Sequence, residues 1–208
     1  MIRNVENEPN ERSQNRQENI RIYTPVVTYA IIAVNILIFV VVNVLGGGRQ
    51  LGYLAVSRRE FSVYKLVSAM FAHGSIQHIF CNMLSLYSVG AGLEHFLGRK
   101  KYTLLYFFAG IGSSLAVVLF SPNYAVGASG AIFGLVGFYL MLALMNRDKL
   151  GETLRKNILP PLLINLLVTV IVPGISIAGH FGGLISGMIF YLIFFRNIKL
   201  VYRNDTAE

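Results

Sequence analysis

The sequence predicts an all-α, polytopic membrane protein with six transmembrane helices. Of its 208 residues, 54% are apolar and only 13% are charged, whereas charged residues make up about a quarter of an ordinary soluble domain. The mean hydropathy is +0.58. The charges also leave four long stretches free of Asp, Glu, Lys and Arg, at residues 22–48, 66–93, 102–146 and 157–195. This composition excludes a disordered chain, a collagen, a disulfide scaffold and a soluble nucleic-acid-binding domain.

The count of six helices follows from the lengths of those stretches. A membrane-spanning helix needs about 20 apolar residues at about 1.5 Å each, so 102–146 and 157–195 must each hold two. Turn-forming residues divide both stretches, Ser121 to Tyr124 in the first and Pro173-Gly174 in the second. The predicted helices therefore occupy residues 25–45, 75–93, 102–120, 126–145, 158–172 and 177–195.

Basic residues predict the orientation of this bundle. Six spans place both termini on one side, and 14 of the 18 basic residues lie in the two tails and in the loops after the second and fourth spans. Because Lys and Arg are enriched in cytoplasmic segments, both termini are predicted to be cytoplasmic. The net charge of +8 is then a consequence of topology, so the expected partner is the lipid bilayer and not nucleic acid.

Three regions are predicted along the chain. Residues 1–21 form a flexible cytosolic tail, residues 22–196 a six-span domain, and residues 197–208 a second cytosolic tail. Within the domain, the first external loop at 46–72 combines apolar residues with four basic ones. We expect it to lie half-submerged at the membrane interface with its basic groups in water.

Polar side chains inside the predicted spans indicate where function lies, because each costs free energy in hydrocarbon unless it is partnered. His78 and Asn82 lie in the second span, just after His73. Ser129 lies near the start of the fourth span and His180 near the start of the sixth. These three spans run inward from the outer face, so the side chains share one depth, within roughly 10 Å of the outer boundary.

Glycines predict that the fourth and sixth helices approach each other closely. They recur at four-residue spacing on both helices, as Gly130 and Gly134 and as Gly179, Gly183 and Gly187. Small residues at this spacing let helix backbones approach closely in lipid. We therefore expect a hydrogen bond between Ser129 and His180, which adjoin these glycines.

The acidic residues restrict the chemistry. All ten lie in tails, in loops or at a helix end, as Glu94 does, so no buried carboxylate is expected. This argues against an aspartyl protease, a zinc site with a glutamate base and a proton-relay transporter. A Ser with a His as general base still forms an activated nucleophile. Oxyanion stabilisation would come from the Ser129 N–H, helped by Asn82 and His78, and neither a cofactor nor a metal is predicted.

Three motifs on these spans resemble the signatures of rhomboid intramembrane serine proteases. They read HGSIQHIFCN at 73–82, GASG at 127–130 and GHFGGL at 179–184. Their order, spacing and host spans are similar to the family over roughly residues 25–196. Each motif alone arises easily by chance, but three in register on a six-helix frame are specific.

The resemblance implies roles for individual residues. Ser129 would be the nucleophile and His180 the base, with His78 and Asn82 as oxyanion partners. The site would open to the outer face of a membrane that we expect to be a prokaryotic plasma membrane. Residues expected to support this site are His73, Phe133, Gly127, Gly130 and Gly183.

Two features of the family are altered in this chain. Phe133 stands where the family often has a Tyr beneath the catalytic imidazole, so ring stacking is expected without a hydroxyl. The family's Trp-Arg pair in the first external loop is absent, because the chain has no Trp.

The implied substrate is a transmembrane helix that enters sideways, unwinds and is cut beside a small side chain. The oligomeric state is not predicted.

Each of these residues also has a structural interpretation that involves no catalysis. Ser129 could be a small packing residue, and His180 could be a polar link between helices. His78 and Asn82 could form an interhelical hydrogen-bond pair, and His73 could be purely structural.

Three alternative functions are disfavoured by the sequence. A thiol nucleophile is disfavoured because Cys81 points away from the Asn82 face. A six-span binding or chaperone-like protein is the main alternative, and the presence of both Ser129 and His180 argues against it. A small-molecule transporter would show broken helices and inverted repeats, and neither is evident in the sequence.

Overall fold

The computed structural model describes residues 23–197, and helices are the only extended regular structure within that range. An isolated pair of β-bridge residues, Val56 and Ala125, is the single exception among the described residues. The predicted all-α class is therefore confirmed. The tail predicted at 1–21, and the tail predicted at 197–208 apart from its first residue, lie outside the described residues.

Six apolar helices make up most of the described chain. We number them α1 to α6, at Val26–Phe39, Ile76–Leu97, Arg99–Phe120, Ser129–Met145, Leu159–Ile171 and Ile177–Phe194. Shorter segments lie between them: a π-helical continuation of α1 at Val40–Leu45, helical turns at Leu51–Leu54, Lys65–Ser68 and Ala69–Phe71, and a helical connection formed by Arg147–Thr153 and Leu154–Ile158.

Four helical segments among residues 23–197 are long and apolar enough to cross a membrane. They are Val26–Leu45, Ile76–Phe120, Arg147–Ile171 and Ile177–Phe194. The segment Ile76–Phe120 comprises both α2 and α3, and α4 is a shorter apolar helix. The number of six spans therefore stays a prediction.

Two of the predicted loops are wrong. Residues 99–101 form the first turn of α3, because Gly98 alone makes the connection from α2 with a φ of +74°, a conformation that glycine adopts readily. The loop expected after the fourth span is helical as well. The start of α4 also differs from the prediction, since it lies at Ser129 and not at residue 126.

Glu94 is a buried carboxylate, contrary to the expectation that the chain has none. It is 0% exposed and accepts hydrogen bonds from the N–H groups of Val27 (3.1 Å) and Thr28 (2.8 Å) and from Thr28 Oγ1 (2.8 Å). The first N–H groups of a helix have no partner within the helix, and an anion at this end is favourable. Glu94 therefore joins the end of α2 to the start of α1.

The first external loop packs more closely than predicted. Its apolar side chains Tyr53 and Val63 are exposed, as an interfacial segment requires. Lys65, however, is 5% exposed and lies 3.6 Å from a carboxylate oxygen of Glu60. The expectation that all the basic groups of this loop reach water is therefore wrong.

α4 and α6 pack backbone to backbone, as their glycines predict. A Cβ atom added at Gly183 would collide with the carbonyl oxygen of Gly130, and one at Gly187 would collide with that of Gly134. The side chain of Ser113 on α3 fills the space next to Gly130. The close approach sets the ends of α4 and α6 side by side.

α5 packs against this pair through one face only. Leu162 is buried and Leu166 half-buried in a cluster with Phe133 and Leu184. The rest of its surface exposes large apolar side chains, among them Leu163, Ile164 and Leu167. α5 is therefore less enclosed by the described protein than α4 or α6.

Candidate active site

Ser129 is the first residue of α4, and the segment before it is fixed at two points. Gly127 has a φ of +123°, and its N–H donates to the carbonyl of Ala69 at 2.8 Å. The N–H of Ala128 donates to Nε2 of His73 at 3.3 Å. Ser129 is half-buried, and its backbone N–H belongs to the helix end that has no acceptor within the helix.

His180 lies in the first turn of α6 and faces Ser129. The turn is capped by Ser176, whose Oγ accepts from the N–H of Gly179 at 3.1 Å. Nε2 of His180 lies 2.8 Å from Oγ of Ser129, so the expected hydrogen bond is present. The His180 ring stacks on Phe133 with centroids 4.2 Å apart and 20° between the planes, as expected for an aromatic residue at this position.

His78 and Asn82 lie one turn apart on α2, and His78 borders the space next to Ser129. A Cβ atom placed on Gly127 would lie 2.7 Å from Nε2 of His78 and 3.6 Å from Oγ of Ser129. The side-chain amide of Asn82 donates to the carbonyl of His78 at 2.8 Å. Oδ1 of Asn82 is buried and has no hydrogen-bond partner among the described residues.

His73 is fully buried. Its ring meets that of His78 edge to face, with centroids 4.9 Å apart. Burial, with a smaller contribution from the nearby His78, lowers the pKa of His73 to about 3. The neutral ring can therefore accept the hydrogen bond from Ala128, which ties His73 to the residue before Ser129.

Thr169 on α5 contacts the site and was not singled out by the sequence. Its Oγ1 lies 2.7 Å from Nδ1 of His180, on the opposite side of the ring from Ser129. Threonine in a helix commonly bonds a carbonyl of its own preceding turn, so nothing in the sequence distinguishes this one. The contact depends on how α5 packs against α6.

A family model described as "Rhomboid domain" matches residues 60–197, which is more than half of the chain. The chain belongs to the rhomboid family. Curated relatives agree with this. Over 170 residues, or 78% of the chain, it is 38% identical to Rhomboid protease GluP of Bacillus subtilis (strain 168). Over 163 residues, or 75% of the chain, it is 33% identical to RHOMBOID-like protein 1 of Arabidopsis thaliana.

The chain spans less than half the length of several curated relatives that it matches. The aligned region is 34% of GluP and 41% of RHOMBOID-like protein 1. YdcA of Bacillus subtilis (strain 168) is an exception, since 187 residues at 32% identity cover 92% of its length.

As a rhomboid with membrane-spanning helices, the chain is an integral membrane protein. All four residues with expected catalytic or oxyanion roles lie within the matched rhomboid domain: His78, Asn82, Ser129 and His180. In the part of the chain that the structure describes, no group of three or more His, Cys, Asp or Glu side chains is placed to hold a metal ion.

Proposed function

We propose that this rhomboid chain is an intramembrane serine endopeptidase that uses Ser129 and His180 as a catalytic dyad. The observation that carries the proposal is the 2.8 Å contact between Oγ of Ser129 and Nε2 of His180. A serine hydroxyl becomes an effective nucleophile when a base within hydrogen-bond reach accepts its proton.

The reaction proposed for the dyad is acyl transfer to serine followed by hydrolysis. Oγ of Ser129 attacks the carbonyl carbon of the scissile bond while its proton passes to Nε2 of His180. The tetrahedral intermediate collapses when His180 returns this proton to the leaving amine, which breaks the C–N bond. A water molecule then attacks the acyl-enzyme with His180 again as base, releasing the acid and restoring Ser129.

The developing oxyanion needs hydrogen-bond donors that are already in place. We assign this role to the backbone N–H of Ser129, the side-chain amide of Asn82 and the ring of His78. The first N–H has no acceptor within α4. The amide of Asn82 has a second N–H besides the one given to the His78 carbonyl.

The proposed substrates are transmembrane helices of other membrane proteins. A helical peptide bond is shielded by its own hydrogen bonds, so the substrate must unwind before Ser129 can reach the carbonyl. α5 is the proposed side of entry, because it packs through one face while most of its large side chains, among them Leu163, Ile164 and Leu167, are exposed. We place the enzyme in a prokaryotic plasma membrane, with both termini cytoplasmic and the site open to the outer face.

Labelling and cleavage with purified full-length protein test this proposal. We expect a fluorophosphonate to label the wild type at Ser129 and a transmembrane reporter to be cut. Ser129→Ala should abolish both reactions, while its melting temperature stays near the wild-type value because one small side chain replaces another. His180→Ala should be equally inactive, and the double variant no worse, since the two residues act as a unit.

The proposal is wrong if Ser129→Ala still cuts the reporter at more than a few per cent of the wild-type rate. A wild type that neither labels nor cuts would instead favour a binding or chaperone-like protein.

A further inference from the structure

His180 has a second polar contact on the side of its ring that faces away from Ser129. Nδ1 lies 2.7 Å from Oγ1 of Thr169 on α5. Both side chains are enclosed, Thr169 at 1% exposure and His180 at 9%. The contact therefore forms away from bulk water, where a hydrogen bond has more influence on the groups that it joins.

The proton of the Thr169 hydroxyl is already used elsewhere. Oγ1 lies 2.7 Å from the backbone carbonyl oxygen of Asn165, one turn earlier in α5. A carbonyl oxygen only accepts, so this contact is a hydrogen bond when the hydroxyl donates its single proton there. Toward His180, Oγ1 can then only accept, and the donor must be the Nδ1–H of the imidazole.

This proton count fixes the tautomer of a neutral His180. With its proton on Nδ1, the ring presents the unprotonated Nε2 to the Ser129 hydroxyl at 2.8 Å. That tautomer is the one that a general base for Ser129 requires. The opposite tautomer would require the Thr169 hydroxyl to turn away from the Asn165 carbonyl and donate to Nδ1, which gives up the bond to that carbonyl.

We propose that Thr169 is a positioning residue that holds His180 in its general-base tautomer and orientation. The inference rests on the proposed function of Ser129 and His180. When His180 takes the Ser129 proton, the imidazolium keeps its Nδ1–H bond to Thr169, so the contact persists while the proton moves at Nε2. A hydroxyl backed by the Asn165 carbonyl thus performs the orienting role that a carboxylate performs in a Ser-His-Asp triad.

The surroundings of His180 show why a neutral group has this role. The hydrogen-bond partners described for its side chain are Ser129 and Thr169, neither of which is ionised. Phe133 fixes the plane of the ring by stacking but has no group that could select a tautomer. Stacking and hydrogen bonding therefore make separate contributions, with Phe133 setting the plane and Thr169 the direction within it.

Thr169→Val tests the inference, because valine keeps the branched shape and removes the hydroxyl. We expect kcat for a transmembrane reporter to fall about 10- to 100-fold while KM changes by less than about 2-fold. The rate of fluorophosphonate labelling, which needs no substrate helix to enter, should fall by a similar factor. Thr169→Ser, which retains the hydroxyl, should stay within about 3-fold of the wild type.

Thr103→Val is the matched control. Thr103 also bonds the carbonyl four residues earlier, that of Arg99 at 2.8 Å, but it lies near the start of α3 and is only half-buried. Its replacement should leave both rates unchanged. If Thr169→Val does not yield folded protein, the comparison of Thr169→Ala with Thr169→Ser decides in the same way.

Three outcomes overturn the inference. Thr169→Val could label and cleave within about 3-fold of the wild type, its defect could lie in KM alone, or Thr169→Ser could be as impaired as Thr169→Val, which would assign the effect to the methyl group. Each of these leaves wild-type labelling at Ser129 intact. Failure of the wild type to label would overturn the proposed function itself, and this inference with it.

Discussion

Two buried asparagines have the same local arrangement, and only Asn82 has a role in the proposed reaction. Asn82 on α2 and Asn35 on α1 each donate to the carbonyl four residues earlier at 2.8 Å. In each, Oδ1 is buried without a hydrogen-bond partner among the described residues. This pair separates the catalytic contribution of an asparagine from its structural contribution.

We expect Asn82→Ala to lower kcat by about 10- to 1,000-fold, the usual effect of losing one oxyanion donor. Asn35→Ala removes the same local bond from a helix remote from Ser129, so it should change stability without a comparable change in kcat. Reporter cleavage and thermal melting of both variants provide the comparison. Equal kcat values for the two variants would assign Asn82 a structural role.

His73 should make the stability of the protein depend on pH. Its pKa is about 3 in the folded protein, because burial and the nearby His78 disfavour the charged ring, whereas an exposed histidine titrates near 6.5. Between these values the unfolded chain binds a proton that the folded protein does not. His73 therefore contributes full stability above about pH 6.5, and this contribution decreases as the pH falls toward 3.

Melting of wild type and His73→Gln between pH 7 and pH 4 measures this contribution. Gln retains an acceptor for the N–H of Ala128 but does not titrate, so the melting temperature of His73→Gln should fall less on acidification. The difference between the two curves reports His73 together with its coupling to the nearby His78. Parallel curves would show that His73 is not the group responsible.

At the scale of helices, the pattern of charges was sufficient to predict most of the fold. Charge-free stretches and turn residues placed six helices within a few residues of their observed bounds, and the glycines predicted the contact of α4 with α6. Local sequence signals such as these need only the chain near each helix.

The errors at Glu94 and Thr169 have a common cause, which is contact with another helix. Glu94 is buried by N–H groups more than 60 residues earlier in the chain, and Thr169 contacts His180 only because α5 lies against α6. The residues adjacent in sequence to Glu94 or Thr169 do not indicate these partners. The sequence predicted the motif residues of the candidate site and missed the residue that contacts His180 from outside the motifs.

Weaker packing of α5 should affect cleavage of a transmembrane reporter differently from labelling by a small fluorophosphonate. Leu166 packs in the cluster with Phe133 and Leu184, whereas Leu167 is 60% exposed. Leu166→Ala should weaken the attachment of α5, and Leu167→Ala should not. If substrate helices enter beside α5, Leu166→Ala should raise the rate of reporter cleavage relative to the rate of fluorophosphonate labelling.

The ratio of the two rates is the informative quantity, because α5 also carries Thr169. Displacement of α5 would weaken the contact with His180 and slow both reactions together, and the ratio removes this shared effect. A ratio that is the same in the wild type, Leu166→Ala and Leu167→Ala would show that substrate enters elsewhere.

The carboxylate of Glu94 joins α2 to α1, which lies more than 60 residues earlier in the sequence. Glu94 accepts from two N–H groups at the start of α1 and from the hydroxyl of Thr28, and the hydroxyl of Tyr23 also lies 3.3 Å from its Oε1. Hydrogen bonds to a charged acceptor contribute about 1.5–3 kcal/mol each. Glu94 is therefore expected to stabilise the whole bundle, although it lies at the opposite end of α2 from His78.

We expect Glu94→Gln to lower the free energy of unfolding by about 3 kcal/mol, because the amide keeps the shape but directs an N–H group at donors of α1. Glu152→Gln is the matched control, since Glu152 is exposed and pairs with the exposed Lys156, 2.6 Å away, and surface pairs of this kind contribute about 0–1 kcal/mol. Thermal melting in detergent should separate the two variants by about 5–10 °C. Below its melting temperature, Glu94→Gln should label with fluorophosphonate at the wild-type rate, because it leaves the contacts of Ser129 and His180 in place. A melting temperature equal to that of Glu152→Gln would show that the buried carboxylate does not hold α1 and α2 together.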